Sequence, residues 1–403
     1  MSDPGPSRHV TFVLTQSLEC PSGLGRYGPL AHGLAARGYR VQVLALHPDF
    51  DALTLRRFNH EGVEVRYVGQ MHVRKTGSQK QYFGPLHLLW VVAWSTLKLS
   101  WAAATSRSHV FHLCKPQPMN GIVALVLLAM GRRVYLDSDD LEFASNQFGA
   151  EWQRTVVRWF EDHLPRWVAG ITVNTHFLLA RVQRLAPHKR CVLVPNAVSS
   201  ERFVPPSAAA IVEIRRRHQL EGRPVIVYVG SLNLVNHPVD LLLEGFARIV
   251  VKEAPGAILM LVGGGADLAW LQKRAMELGI GENVRFVGRV PPDDVPVYYA
   301  AADISVDPVR NDPVAQARSP LKLYESLVVG TPIVTGDIGD RRLALDDNEA
   351  MLVPPGDVNA LGKRLLALLQ DDVARARLQR WALDHREQFC WESRLDDFIR
   401  IYE

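Results

Sequence analysis

Arg318-Ser-Pro-Leu-Lys-Leu-Tyr-Glu-Ser-Leu-Val-Val-Gly-Thr-Pro-Ile-Val-Thr335 reads as a loop, then a helix, then a strand. Ser319-Pro320 has the form of a helix opening, a hydroxyl that can cap free amides followed by a ring that needs no amide partner. Apolar residues at 321, 323, 327 and 328 keep helical spacing. Gly330 stops the helix, and Pro332-Ile333-Val334 begins a buried strand. A helix N-terminus that follows a loop offers free amides and a positive dipole end, which suits a phosphate. Lys322 stands in the first turn. Glu325 follows one turn later, where a carboxylate could hold a ribose diol. An ordinary strand–helix unit with a surface Lys and Glu is the plain alternative.

Working outward, the same alternation recurs on both sides of this stretch. Upstream in the second half, Val225-Ile-Val-Tyr-Val-Gly-Ser231 is a buried strand ending in a Gly-Ser loop. It is followed by Ala257-Ile-Leu-Met-Leu-Val-Gly-Gly-Gly265, Asn283-Val-Arg-Phe-Val-Gly-Arg289 and Ala302-Asp-Ile-Ser-Val-Asp307, with helical segments between. The first half opens with Val10–Leu14, the glycine-bearing run Pro21–Gly28, a helix Pro29–Arg37 and a strand Val41–Leu46. That order is the first unit of a doubly wound sheet. Gly23 and Gly25 would let backbone approach a phosphate. The spacing is not a full G-x-G-x-x-G, and no acidic residue ends the second strand, so a dinucleotide site is not indicated. A strand near His109–Leu113 leads to His112-Leu-Cys-Lys-Pro116. A further strand, Arg133–Leu136, delivers Asp137-Ser-Asp-Asp140 to the edge where ligands bind in open α/β sheets. Those carboxylates could be a base, helix caps or a metal site, although D-x-D metal sites usually belong to a different, single-domain architecture. Pro195–Pro206 reads as a linker.

The expected architecture is therefore α/β, with two Rossmann-like doubly wound domains facing across a cleft. Residues 1–196 form the first domain and 197–375 the second, nucleotide-binding one. The remainder, 376–403, is helical. At 403 residues the chain exceeds one typical core. Its 47% hydrophobic and 22% charged residues exclude a largely disordered chain. Four scattered cysteines with no C-x-x-C pair argue against zinc and a disulfide framework, and toward a reducing, cytoplasmic setting. The polar start, Met1 to Pro6, leads straight into a strand, with no signal peptide expected.

Charge is uneven. Residues 1–200 hold 22 Lys+Arg against 13 Asp+Glu, and residues 201–403 hold 24 against 29. A basic first half suggests an anionic partner such as a membrane surface or acidic acceptor. Basic runs interleaved with aromatics are absent, so nucleic acid is not expected. Residues 69–84, with Arg74, Lys75 and Lys80, read as a mobile basic loop. Pro85 to Thr105 is the most apolar run, approaching membrane-span length but interrupted by His87, Ser95, Lys98 and Ser100. Trp90, Trp94 and Trp101 fall mostly on one side. A helix buried against the sheet is the first reading, and a peripheral membrane contact the second.

The second half resembles the nucleotide-sugar-binding domain of the family 4 retaining glycosyltransferases, which have the GT-B fold. The resemblance rests on Pro195-Asn196, Val229-Gly-Ser231, Leu261–Gly265, Val284–Arg289, Ala302-Asp303 and Tyr324–Val334, and covers nearly all of residues 190–370. The first half is similar more loosely, through its glycine run and His112–Pro116. The resemblance implies metal-independent transfer of a sugar, with retained configuration, from a nucleoside diphosphate sugar, UDP ahead of GDP. The acceptor would be a saccharide or a lipid-linked glycan, residues 1–196 would be the acceptor-binding domain, and residues 376–403 would pack back toward it. It implies that Glu325, the last Glu of an E-x7-E motif, holds the ribose, that Ser319 and Leu321 face the diphosphate, and that Gly288-Arg289-Val290 lies near the base, with Gly230 and Gly264 lining the donor.

The chain departs from the family at three places. The first Glu of the motif is Ala317, the phosphate-binding Arg and Lys become Ser231 and His237, and the first-domain His becomes Cys114. Some family members resemble this chain in a Ser-Pro-x-Lys-x-x-Glu stretch and a Lys-Pro in the first-domain loop. Replacement of the missing cations by Lys322, Arg318 and Lys115 is thus the favoured reading. Ser231 and His237 would add hydrogen bonds, the Gly23–Gly25 run would close over the phosphate, and Asp139 or Asp140 would accept a hydrogen bond from the acceptor hydroxyl. Two other classes remain open: a nucleotide-sugar epimerase using Asp139, Asp140 and His112 as acid and base, and a nucleotide-sugar-binding protein that turns nothing over.

Overall fold

The computed structural model describes residues 8–76, 79–346 and 348–403. The reading of Met1 to Pro6 therefore lies outside the described residues. The chain divides into two compact units, Met1–Asn196 with Arg394–Glu403, and Ala197–Ser393.

The first unit is built on ten strands: β1 (His9–Leu14), β2 (Arg40–His47), β3 (Arg57–His60), β4 (Val63–Gln70), β5 (Val73–Thr76), β6 (Gln79–Tyr82), β7 (Val110–Cys114), β8 (Arg133–Ser138), β9 (Gly170–Val173) and β10 (Arg190–Leu193). Eight of them form one sheet in the order β10-β9-β8-β7-β1-β2-β4-β3. Only β3 runs antiparallel, joined to β4 by a tight turn in which Glu61 and Gly62 both take positive φ. Strands such as β1 and β7 are apolar almost throughout because helices cover both faces of a parallel sheet.

Two expectations change here. The basic segment 69–84 is not a loop: β5 and β6 pair antiparallel, and only their connection lies outside the described residues. Basic composition alone does not separate a two-stranded ribbon from a loop. The apolar run is a helix, Pro85–Ala104, that packs on the sheet as expected, but most of its large side chains face away from it. Its buried residues are mostly small or polar: Ser95, Thr96, Ser100, Ala102 and Ala103, with Val91 and Leu99. The Ser95 hydroxyl donates to the Gln70 carbonyl (2.7 Å), and a Cβ on Gly69 would lie 3.0 Å from Ser95 Oγ. Close approach to the strand selects small residues on that side, which turns the tryptophans outward.

The second unit has β11 (Val225–Val229), β12 (Ile258–Val262), β13 (Val284–Gly288), β14 (Ile304–Asp307), β15 (Ile333–Gly336) and β16 (Leu352–Val353), all parallel. Their order is β13-β12-β11-β14-β15-β16, so the winding reverses between β11 and β14. Such a reversal opens a crevice beyond the strands' carboxyl ends, where ligands of this architecture bind. The helix Leu321–Val329 packs Leu323, Leu327 and Val328 into the core, and Gly330 ends it at φ 89°. The unit also keeps the helix Asp372–Asp384, whose Leu378 and Ala382 join its core with Phe389 and Cys390. Only the last ten residues return to the first unit, a later break than residue 375.

Candidate functional site

Lys322 sits at the reversal point of the second sheet. It is buried, and its ammonium lies 3.2 Å from Asp307 Oδ1 and 3.3 Å from the Tyr228 hydroxyl, 4.4 Å above that ring. Tyr228 comes from β11 and Asp307 ends β14, so the two strands flanking the crevice each supply one partner. Asp307 also takes the Arg341 guanidinium at 3.1 and 3.2 Å. Burial opposes a charged carboxyl there, but Lys322 and Arg341 outweigh it and hold the Asp307 pKa down to about 2. Burial likewise works against the Lys322 charge, while Tyr228 and Asp307 keep its pKa above the ordinary lysine value. One carboxylate thus serves two cations, leaving the cluster net positive. Arg318, half-buried, adds a third cation and donates to the Asn236 carbonyl at 2.8 Å.

His237 Nδ1 lies 3.4 Å from Lys322 Nζ. Burial, then the charges of Lys322 and Arg318, push its pKa well below the usual histidine value, so the ring is neutral. An ammonium can only donate; Nδ1 must therefore accept, which assigns the ring proton to Nε2. A neutral imidazole beside two cations becomes a hydrogen-bond donor for an anion without being a third charge.

The backbone around this cluster is compressed. A Cβ on Gly263 would stand 1.8 Å from the Gly230 carbonyl oxygen, and one on Gly265 2.2 Å from that of Leu232. Gly230 itself lies against Lys322, whose Nζ would be 3.3 Å from an added Cβ. The ends of β11 and β12 are thereby brought into direct backbone contact beside the ammonium. Ser231 is exposed and its carbonyl accepts from the Tyr228 hydroxyl at 2.8 Å. Gly264 packs against the side chain of exposed Arg289, with half-buried Val290 next along the chain at the end of β13.

Glu325, half-buried, accepts from Tyr299 Oη at 3.3 Å. Burial raises its pKa, against the pull of Arg202 and the Tyr299 hydrogen bond. Ser319 is not the helix cap it was expected to be. Pro320 takes that position in an extended conformation, so the helix begins at Leu321. The serine hydroxyl meets Tyr324 Oη instead, at 3.0 Å. Ala317 is fully buried at the end of the short helix Pro313–Ala317.

The first unit gathers a second polar cluster at the ends of β7 and β8. Lys115 is buried with φ +81°, its ammonium 3.0 Å from Asp139 and 2.6 Å from Glu142. Burial opposes its charge, but those two carboxylates carry its pKa well above the ordinary value. Lys115 is thus already paired twice within its own unit, which counts against it as a free phosphate cation. Burial raises the Asp139 pKa to about 6, with Lys115 pulling the other way. Asp140 caps local backbone, accepting from Leu141 N (2.8 Å) and Ser145 Oγ (2.6 Å). Asp137 takes Arg26 through both oxygens, at 2.6 and 2.8 Å, beneath the sheet edge. The three aspartates therefore have three separate partners and do not converge as a metal site would require.

The expected glycine loop is helical. Gly23–Tyr27 form one wide turn leading into the helix Gly28–Ala36, so Gly23 and Gly25 lie on a helix. Gly23 is required because a Cβ there would meet the Leu18 carbonyl at 2.4 Å, a reason internal to the fold. His112 is likewise no acid or base at an open edge. It is fully buried in mid-strand, stacked on Phe12 and hydrogen-bonded to Tyr402 Oη at 2.9 Å, and burial takes its pKa down to about 4. Cys114 is buried with its thiol pKa raised by burial, an unreactive position.

Residues 22–197 match the family described as "Glycosyl transferase 4-like domain", and residues 223–371 match "Glycosyl transferases group 1". The chain belongs to family 4 of the glycosyltransferases. It is 30% identical over 223 residues to a D-inositol 3-phosphate glycosyltransferase of Corynebacterium jeikeium, which covers 52% of this chain and 51% of that one. It is also 30% identical over 209 residues to a GDP-mannose-dependent alpha-(1-6)-phosphatidylinositol monomannoside mannosyltransferase of Mycolicibacterium smegmatis, covering 50% and 53%. These matches span about half the length of the relatives. A sucrose-phosphate synthase from Thermosynechococcus elongatus has the same fold, with TM-score 0.78 over 98% of each chain at 20% identity. The architecture of this family 4 chain is GT-B.

Sequence reasoning named Lys322, Arg318, His237 and Glu325 but passed over Asp307, Tyr228 and Arg341, which hold them. Asp307 had a signal: an acidic residue ending a central strand of a doubly wound sheet. Arg26 and Glu142 were missed in the first unit. Arg26 stands inside the glycine run, where attention to phosphate-binding backbone obscured a buried guanidinium.

Proposed function

We propose that this chain transfers a sugar, with retention, from a nucleoside diphosphate sugar to a hydroxyl acceptor, and that it needs no metal to do so. The observation that carries the reading is the net-positive cluster of Lys322, Arg341 and Asp307 at the reversal point, with Arg318 beside it and Glu325 one turn further along the helix. A departing diphosphate needs its charge met by preorganised cations, amides and dipoles. Lys322 supplies the ammonium, His237 donates through Nε2, Arg318 adds charge, and the Leu321 end of the helix adds its dipole. Glu325 accepts from the ribose hydroxyls. The extra cations Arg318 and Lys322 take the place of the family's Arg and Lys, which are Ser231 and His237 here. The departing group leaves oxocarbenium character behind at the sugar, so the site has to exclude water.

The donor is a UDP-sugar in the first instance, with GDP-mannose the second candidate, since one relative is named for it. A lipid-linked or other glycan is the acceptor class, and Asp139, whose pKa is raised to about 6, accepts a hydrogen bond from its hydroxyl. A thermal-shift screen of nucleoside diphosphates and their sugars, repeated with EDTA, tests this. A shift with one nucleotide that EDTA leaves unchanged supports the reading and names the base. No shift with any nucleotide overturns it, and loss of the shift with EDTA overturns the metal-independent part.

A further inference from the structure

The helix Pro85–Ala104 is amphipathic the wrong way round for a soluble core element. Leu86, Trp90, Trp94, Leu97 and Trp101 recur at helical spacing and are 45–84% exposed, while Ser, Thr and Ala face the sheet. The helix Pro118–Ala129 packs beside it, and Glu151–Trp167 packs beside that one in turn. Both carry exposed apolar stripes of their own, Ile122 and Leu125 on the first, Trp152, Val156 and Trp159 on the second. Apolar surface of this extent on neighbouring elements marks an interaction site.

Charge says what the partner is. From Phe50 to Arg107 the sequence holds eight Lys+Arg against three Asp+Glu. Beside the tryptophan helix lies a groove of about 560 Å3 whose walls include Phe50, Arg56, Arg66, Trp94, Lys98 and Trp101. Arg56 stands 4.2 Å from the Phe50 ring centre, and the Lys98 ammonium 5.1 Å from the same ring and 5.4 Å from that of Trp94. Arg56, Arg66 and Lys98 have no carboxylate partner among the described residues. Three uncompensated cations beside interfacial tryptophans match a surface that is anionic at its headgroups and apolar beneath. A second copy of this chain is a poorer occupant, because a two-fold contact would set the same cations against each other. Among the described residues no helix is long and apolar enough to cross a membrane, so the contact lies on the surface.

We infer that this face docks on an anionic phospholipid bilayer, with lipid phosphate in the groove of Arg56, Arg66 and Lys98 and the tryptophans in the interface. The inference does not depend on the donor site. Co-sedimentation of the full chain with vesicles of phosphatidylcholine alone, and of equal parts phosphatidylcholine and phosphatidylglycerol, tests it. The anionic vesicles should bind about tenfold more protein, and salt should weaken the binding. The exposed pairs Arg56→Glu with Arg66→Glu, and Trp90→Ser with Trp94→Ser, should each lower it about tenfold while unfolding temperature stays near wild type. Equal binding to both vesicles, or none, overturns the inference. So does a wild-type dimer by light scattering that the tryptophan variant dissolves, which would make a second copy the occupant.

Discussion

At the scale of single residues, the donor-site reading turns on a buried ammonium whose charge is only partly cancelled. Lys322→Met keeps the stem lying over Tyr228 and removes the charge, while Asp307 retains Arg341. Losing a charge-assisted bond to a diphosphate costs roughly 2–3 kcal/mol, so affinity for the nucleoside diphosphate should fall about 100-fold. Affinity for the bare nucleoside should hold, since it has no phosphate to lose. Titration calorimetry with both ligands separates the outcomes, and an equal loss for both would place Lys322 outside the phosphate site. His112 makes an independent test of the first unit. Its folded pKa of about 4 lies below the ordinary 6.5, so the unfolded chain binds the extra proton first as pH falls. Stability from this group is present above pH 6.5 and is lost between about 6.5 and 4. At 1.36 kcal/mol per pH unit, wild type should lose about 2–3 kcal/mol more than His112→Gln between pH 7 and 4.5. Asp139, raised to about 6, acts with the opposite sign and is common to both proteins, so the difference between them isolates His112. Denaturant unfolding at the two pH values reads it.

At the scale of elements, the donor site is made by strand ends meeting rather than by any one loop. The Gly230 and Gly263 backbones touch, and Gly263→Ala would place a methyl 1.8 Å from a carbonyl oxygen at φ 142°. Backbone has to move, at a cost of about 1–3 kcal/mol. The variant should still fold, since Val225–Val229 and Ile258–Val262 remain fully buried, but nucleotide binding should be lost with only a modest fall in unfolding temperature. Binding that survives would mean that the contact is packing alone. These strands were legible because five consecutive apolar residues bounded by glycine have few other destinations. The stop at Gly330 was legible for a similar reason, a residue able to take φ 89° at the end of a helical pattern. What failed was face assignment. The period of the Pro85–Ala104 helix says which residues share a side but not which side meets the sheet. Close approach at Gly69 and Ser95 decides that, and no local pattern encodes it. The pairings of Lys322 with Tyr228 and Asp307 were hidden likewise, since each partner reaches the crevice from a different strand.

At the scale of the whole molecule, two doubly wound sheets were readable from the repeated strand–helix alternation, while the return of the C-terminus to the first unit was implied by the family resemblance alone and its contacts were not legible. The helical period of the last residues announces burial without naming the partner. The structure gives it: Phe398 and Ile401 are buried in the first unit, Phe398 stacks on Phe12, and Tyr402 closes over His112. Leu395 fills the space over Gly33, where a Cβ would lie 2.4 Å from its methyls. Ten residues at the far end of the chain therefore complete the core of the unit that begins it. Removing a buried phenyl costs about 3–5 kcal/mol, and each kcal/mol lowers the unfolding temperature of a unit this size by about 2–4 °C. Phe398→Ala should accordingly shift the first unit's calorimetric transition down by about 10 °C. A chain ending at Ser393 should shift it further still. The second unit's transition should stay in place, since none of its core residues is touched. A shift in the second transition, or none in the first, would show that the C-terminal segment does not complete the first unit's core in solution.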